Sequence, residues 1–458
     1  MAVKSISVFG LGKLGSCMVG CFASAGYRVI GVDINPEVVA RVASRYPPVP
    51  EPGLQELFDK FGKYITATTD YVEAVKNTDA SFIIVPTPSL PDGEFFTSIA
   101  QTVARQIASV LKRKNSYHLV VLTSTVLPGA TERDIKPVLE NISRKKCGRD
   151  FGLCYSPEFI ALGEVIKGLL RPDFFLIGEY DRYSGDELES IYKKLQKSRV
   201  SLMDITKQRQ PVPIVRMNII NAELTKIAIN SFVTGKISFV NTLSQLCSKM
   251  KGADAHVVAS AVGLDSRIGN KCMVPGPAFG GPCFPRDNRA FSWFARSIGE
   301  DAPLALATDL INKRQIDFLV NYVLRAVRAP NAVGLLGLTY KPDTNVIEES
   351  QAVEMAKSFL GRGIGVIAYD PVVNIQGVAG GRLPDGVVLV DSLKDCVKLV
   401  DVVVLATPHA EFARIKPEHI KDGNRRIPLI DIWGMLRNNG FTQRSLYFVP
   451  GVYNPHLT

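Results

Sequence analysis

The stretch Ser5-Ile6-Ser7-Val8-Phe9-Gly10-Leu11-Gly12-Lys13-Leu14-Gly15, with Tyr27-Arg28-Val29-Ile30-Gly31-Val32-Asp33 beyond it, decides the fold. Ser5 to Phe9 is a short apolar strand, the glycines open a helix running to about Ala25, and Tyr27 to Val32 is the next strand. In this G-x-G-x-x-G turn, Gly10 permits the tight reversal, Gly12 lets a pyrophosphate approach the backbone, and Gly15 lets the helix pack on the sheet. The N–H groups at that helix start, around Lys13 and Leu14, then face the phosphates. Asp33 follows Gly10 by 23 residues. A carboxylate there bonds a ribose 2′-hydroxyl and repels a 2′-phosphate. Ile34 and Asn35 supply no arginine for such a phosphate, so the predicted cofactor is NAD rather than NADP.

Working outward, Asp79 to Val85 is another buried strand, stopped by Pro86-Thr87-Pro88, and Tyr117 to Leu122 repeats the pattern before Thr123-Ser124-Thr125. Pro86, Thr87, Pro88, Ser124 and Thr125 thus end strands where a parallel α/β sheet binds ligands. The last third echoes the order. It has a strand at Ala332 to Gly337 with a glycine turn and a helix around Ser350 to Gly361. Strand Gly365 to Tyr369 then ends in Asp370-Pro371, and strand Val400 to Ala406 is closed by Thr407-Pro408. Between the two halves, about Val215 to Ser260 lacks proline, and Ile219, Ile220, Leu224, Ile227, Ile229 and Phe232 recur near helical spacing. The predicted fold is α/β, two Rossmann-like doubly wound domains joined by a long central helix. The expected divisions are 1–210, 211–320 and 321–458, with the helix offering a dimer surface.

At 458 residues the chain is too long for one ordinary core. The formal charge of +10 is spread rather than gathered in one basic tract. That argues against nucleic acid and suits small anionic ligands. The eight cysteines include no CxxC pair, and Cys17 and Cys21, four apart, predict one buried helix face. Free thiols imply a reducing compartment. The first residues run straight into a strand, leaving no room for a signal peptide, and no apolar run approaches the roughly 18–20 residues that span a bilayer. A cytoplasmic protein with no membrane partner is expected, and no residue is assigned to a metal.

Met273-Val274-Pro275-Gly276-Pro277-Ala278-Phe279-Gly280-Gly281-Pro282-Cys283-Phe284-Pro285-Arg286-Asp287 is crowded with glycine, proline and aromatic residues, so it reads as a shaped loop rather than a helix or strand. It presents one cysteine with Arg286 and Asp287 three and four residues on. A nearby cation favours the nucleophilic thiolate.

Together with Tyr155-Ser156-Pro157-Glu158-Phe159, these stretches resemble the UDP-glucose/GDP-mannose dehydrogenase family, in order and over nearly the whole chain. The resemblance implies an enzyme that oxidises the primary alcohol of a nucleotide sugar twice with NAD, to a carboxylate, through a thioester on Cys283. It implies that Lys226 and Asn230 stabilise developing negative charge and that Glu158 acts with water in thioester hydrolysis. Asp287 and Thr125 match residues that assist proton transfer and hold that water. Arg286 joins the cofactor site. Phe159, Lys226, Asn230, Phe279, Gly280, Tyr340 and Lys341 join the substrate site. Arg267 matches an arginine that reaches the sugar site of a neighbouring subunit, so at least a homodimer is implied. Phe-Gly-Gly-Pro-Cys-Phe is closer to the UDP-glucose and GDP-mannose branches than to the N-acetylhexosamine branch, which carries Val-Gly-Gly-His-Cys-Ile. UDP-glucose is the first expectation for substrate, with GDP-mannose or another nucleotide-hexose such as a dTDP-sugar as alternatives. A two-electron hydroxyacid dehydrogenase is a further alternative, but it needs no nucleophilic cysteine. Leu162 stands where relatives carry a second glutamate, Glu348 where they carry arginine, and Trp433 where some UDP-glucose enzymes place a substrate-binding arginine.

Overall fold

The computed structural model describes residues 3–160, 162–198, 211–441, 446–455 and 457. The chain divides into two compact units, Met1–Ala228 and Ile229–Thr458.

The first unit is built on eight strands: β1 (Ser5–Phe9), β2 (Arg28–Val32), β3 (Ile65–Thr68), β4 (Ala80–Ile83), β5 (Leu119–Leu122), β6 (Gly152–Tyr155), β7 (Phe175–Glu179) and β8 (Ile214–Asn218). Their order is β3-β2-β1-β4-β5-β6-β7-β8. All pair in parallel except β6 with β7, an antiparallel junction that the expectation of a parallel sheet did not include. Strand order reverses between β1 and β4, the switch point outside which such sheets bind ligands. The sheet is wound on both faces. Ile6 and Val8 pack with Cys17, Cys21 and Phe22 of helix Lys13–Ser24, while Phe9, Ile83 and Leu122 pack with helices Ser98–Leu111 and Lys136–Ser143. Cys17 and Cys21 form the buried helix face that their spacing predicts.

The long helix is real but shorter than expected. Ile214–Asn218 is strand β8, because its backbone completes the sheet beside β7. Helix Ile219–Cys247 follows, beginning in the first unit and ending in the second. The turn through Gly252 (φ +82) ends it, and Asp254 caps a separate helix, Ala255–Leu264, by accepting from the N–H groups of His256 and Val257. Of the apolar positions predicted to lie along the first helix, Ile219 and Ile227 are buried, whereas Ile220, Leu224 and Phe232 are exposed.

The second unit carries β9 (Ala332–Leu336), β10 (Gly365–Tyr369), β11 (Val387–Leu389) and β12 (Val402–Leu405). A small hairpin of β13 (Lys421–Asp422) and β14 (Arg425–Arg426) follows, then β15 (Leu429–Asp431) and β16 (Tyr447–Phe448). The main sheet runs β11-β10-β9-β12-β15-β16, all parallel, with apolar clusters on both faces. Each half uses one turn device. Gly10 N and Gly337 N donate to Val32 O and Tyr369 O at 2.8 Å. Leu11 N and Leu338 N donate at 2.7 Å to the strand-end carboxylates Asp33 and Asp370. Both glycines need positive φ, +98 and +90. Among the described residues, no helix is long and apolar enough to cross a membrane.

Candidate active site

At the C-terminal edge of β1, a side chain on Gly10 would strike the carbonyl of Ile84, and one on Gly15 would strike the carbonyl of Gly10. Gly12 differs. It is exposed, with φ −70, and an added Cβ would meet nothing within 4 Å. That open space lies over the start of helix Lys13–Ser24, where no side chain caps the first N–H groups. Asp33 ties the turn down, accepting from Leu11 N at 2.7 Å on one oxygen and Asn35 N at 2.9 Å on the other. A carboxylate oxygen holds more than one acceptor position, and Asp33 is only half-buried. The neighbouring strand ends are laced together. Ser124 Oγ donates to Val85 O at 2.7 Å, Val85 N donates back at 2.9 Å, and Thr87 Oγ1 donates to Thr125 O at 2.6 Å. Burial pulls the Lys13 ammonium pKa down, opposed by Glu51. These residues fit NAD: a cradle that a Cβ at Gly12 would fill, an uncapped helix start and a carboxylate at the end of β2.

The second half fills the equivalent space. Thr339 stands where the first half has Gly12, and the Thr407 side chain packs against Gly337. Asp370 is fully buried, and its Oδ2 lies 3.1 Å from His409 Nε2. Burial raises its pKa, but hydrogen bonds from His409 and from the N–H groups of Leu338 and Val373 outweigh that and hold the carboxyl at about 2.

Still in the first unit, Lys226 is 6% exposed. Its ammonium donates to the Glu158 carbonyl at 2.8 Å and sits 4.8 Å from the Phe159 ring centroid. Burial pushes the Glu158 carboxyl up to about 8, opposed by Lys226. Leu162 packs on the apolar cluster around helix Lys13–Ser24, which accounts for an apolar residue at that departure. Glu51 fastens the next turn through Gly163 N at 3.0 Å and Val165 N at 2.7 Å. Sequence reasoning missed Glu223, a fully buried acid three residues before Lys226 that accepts from Gly129 and Thr131.

In the second unit, Cys283 is exposed and is the N-cap of helix Phe284–Ser297. The shaped loop extends from Met273 to Cys283, but its expected last residues, Phe284, Pro285, Arg286 and Asp287, instead form the first helical turn, which a proline at the helix start favours. Asp287 is fully buried. Its N–H donates to Cys283 O at 2.8 Å, and its carboxylate accepts from Asn230 Nδ2 at 2.6 Å and from Arg286 Nε at 2.9 Å. The Arg286 guanidinium is therefore braced by Asp287. The same guanidinium faces Glu348, whose pKa burial raises and Arg286 lowers.

The glycines ahead of the cysteine are required by close approach. A Cβ at Gly280 would strike the Glu349 carbonyl, and one at Gly281 (φ +79) would meet the Tyr340 ring. Phe279 is buried, and its backbone is clamped by Asn312 (2.9 Å at both N–H and carbonyl) and by Gln351 Nε2 (2.6 Å). Trp433 donates from Nε1 to Ala406 O at 2.9 Å and lays its ring against Gly276. Lys341 is half-buried, its carbonyl accepting from Thr339 Oγ1. Arg267 is exposed and turned onto Asp265 at 2.7 Å.

Three models of the UDP-glucose/GDP-mannose dehydrogenase family match this chain: its NAD binding domain over residues 4–196, its central domain over 220–314 and its UDP binding domain over 334–438. The chain is 34% identical over 450 residues to a GDP-mannose 6-dehydrogenase of Pseudomonas syringae pv. tomato, covering 94% of this chain and 97% of that one. It is 34% identical over 415 residues to a UDP-glucose 6-dehydrogenase of Haloferax volcanii, covering 90% and 93%. A solved UDP-glucose dehydrogenase from the hyperthermophilic archaeon Pyrobaculum islandicum superposes with a TM-score of 0.83 at 30% identity, covering 100% of this chain and 98% of its own.

Proposed function

The chain belongs to the UDP-glucose/GDP-mannose dehydrogenase family of NAD-dependent nucleotide-sugar 6-dehydrogenases, and on that premise we propose that it oxidises UDP-glucose to UDP-glucuronate through a thioester on Cys283. The observation that carries the reading is Cys283 itself: an exposed thiol at a helix start, followed by a braced Arg286–Asp287 pair. One nucleotide sugar, two NAD+ and one water give the carboxylate, two NADH and three protons. NAD supplies the hydride acceptor for both oxidations.

Helix starts and nearby cations favour thiolates. After the first oxidation the Cys283 sulfur attacks the aldehyde carbon, forming a C–S bond and an oxyanion. Lys226 and Asn230 offer an ammonium and an amide N–H to that developing charge. Departure of the second hydride leaves a thioester. Water then adds to its carbonyl, the C–S bond breaks and the thiolate leaves. Glu158, with its carboxyl raised to about 8, takes the water proton, and Thr125 and Asp287 orient the water. Lys341, Tyr340, Phe279 and Gly280 belong to the nucleotide-sugar side of this reading. Arg267 belongs to a homodimer in which it serves the neighbouring copy, and the three matched segments support a division near 1–210, 211–320 and 321–458.

The full-length likeness to a UDP-glucose dehydrogenase and the match to a UDP binding domain support UDP-glucose. GDP-mannose is the second reading, because the Pseudomonas syringae relative is equally identical. NADH release measured against UDP-, GDP- and dTDP-hexoses tests the substrate. Two NADH per carboxylate are expected, and a ratio of one would overturn the thioester route. Cys283→Ser should stop turnover at or before hydrolysis of the bound intermediate.

A further inference from the structure

Glu223 is a buried acid that the chemistry above leaves unused. Its carboxylate accepts from Gly129 N at 2.5 Å, Thr131 N at 2.8 Å and Thr131 Oγ1 at 2.6 Å. Those groups open the helical run Thr131–Ile135 and Lys136–Ser143, and no side chain adjacent in sequence caps that start. The cap instead comes from 92 residues away.

The segment Thr123–Ala130 leaves β5 and carries Thr125. Its near end is fastened by the bonds of Ser124 to Val85 and of the Thr125 carbonyl to Thr87. Its far end is fastened by Glu223. Residues three apart share a helix face. One turn of helix Ile219–Cys247 therefore presents the Glu223 carboxylate to this segment and the Lys226 ammonium to the Glu158 carbonyl.

We propose that Glu223 is a positioning residue that holds the Thr125 segment at a fixed distance from the helical turn carrying Lys226. The proposal rests on the role given to Thr125 above.

The test compares Thr125→Ala, Glu223→Gln, Thr131→Val and the double variant Thr125→Ala/Glu223→Gln in the full chain, reading kcat and KM for both substrates. Glutamine keeps the shape of the side chain but cannot accept on both sides. Glu223→Gln should lower kcat about tenfold with the sugar KM within about twofold, and Thr131→Val, which removes one of the three bonds, should shift kcat the same way by less. The double variant should be no more than about twofold slower than Thr125→Ala alone, because both changes remove one function. An unchanged kcat in Glu223→Gln, or losses that multiply in the double variant, would overturn the proposal. A fully active Thr125→Ala would remove the role of Thr125 itself, and the single variant identifies that failure separately. If Glu223→Gln does not fold, Thr131→Val and its double with Thr125→Ala carry the same comparison.

Discussion

Alanine at each of the three glycines of the first turn separates folding from cofactor binding. Gly10→Ala puts a Cβ at φ +98, which costs about 1–2 kcal/mol, and drives it into the Ile84 carbonyl, which adds about 1–3 kcal/mol of overpacking. A middle value of about 3 kcal/mol corresponds to a Tm lower by roughly 6–12 °C for a unit of this size. Gly15→Ala meets the Gly10 carbonyl and should fall by a similar amount. Gly12→Ala has φ −70 and open space, so its fold should change by less than about 1 kcal/mol. Its methyl nevertheless fills the cradle and should raise the KM for NAD by about tenfold or more, a loss of at least ~1.4 kcal/mol of binding. Thermal melts of the ligand-free protein and NADH-absorbance kinetics read the two effects. A Gly12→Ala variant that melts as low as Gly10→Ala, or that keeps the parental KM for NAD, would refute this separation of roles.

With the Glu158 carboxyl at about 8 and needed as a base, kcat should climb with pH through about 8. A profile flat from pH 7 to 9 would remove Glu158 from that role. Burial also raises Glu223, to about 7, against a polar environment that lowers it. The folded chain then binds that proton more tightly than the unfolded chain. Stability should therefore decline as pH rises from about 4.5 to about 7 and level off above, by on the order of 3 kcal/mol. Denaturant melts across that range should show the decline, and Glu223→Gln should flatten it. His409→Ala leaves the buried Asp370 carboxylate with one donor fewer and should cost about 1–3 kcal/mol. An unchanged melt would show that His409 contributes nothing there.

What could be read from the sequence was whatever local chemistry forces. Gly10 and Gly15 have no room for a side chain, so glycine spacing and a strand-end Asp33 announce the turn without any distant partner. The cysteine stretch announced itself by composition, and Pro285 could have told that a helix starts there. Lys226 and Asn230, taken singly, look like solvated helix residues, and their roles came from the family resemblance. The rest depends on partners far away in the chain. Strand β8 looks helical until β7 pairs with it. The antiparallel turn of β7 against β6 is a property of the whole sheet. Glu223 caps a helix 92 residues distant, though the spacing of Glu223, Lys226 and Asn230, at three and seven along one helix, is a polar ridge that could have flagged it. Asp33 and Asp370 read alike as strand-end acids, and His409, brought in from beyond β12, together with Thr339 and Thr407 gives the second turn a different fate.

Those opposite fates bear on how the proposed double oxidation would manage two equivalents of oxidant. Thr339, Thr407 and His409 occupy the duplicate turn, so among the described residues only the sheet of β1 keeps an open cradle for a dinucleotide. Each polypeptide should then bind one NAD at a time, and a binding titration should give a stoichiometry near one. On the proposed route, that single berth would have to empty and refill between the two oxidations. A reactive aldehyde left free during the exchange would drift away, whereas one anchored to sulfur waits for the next cofactor.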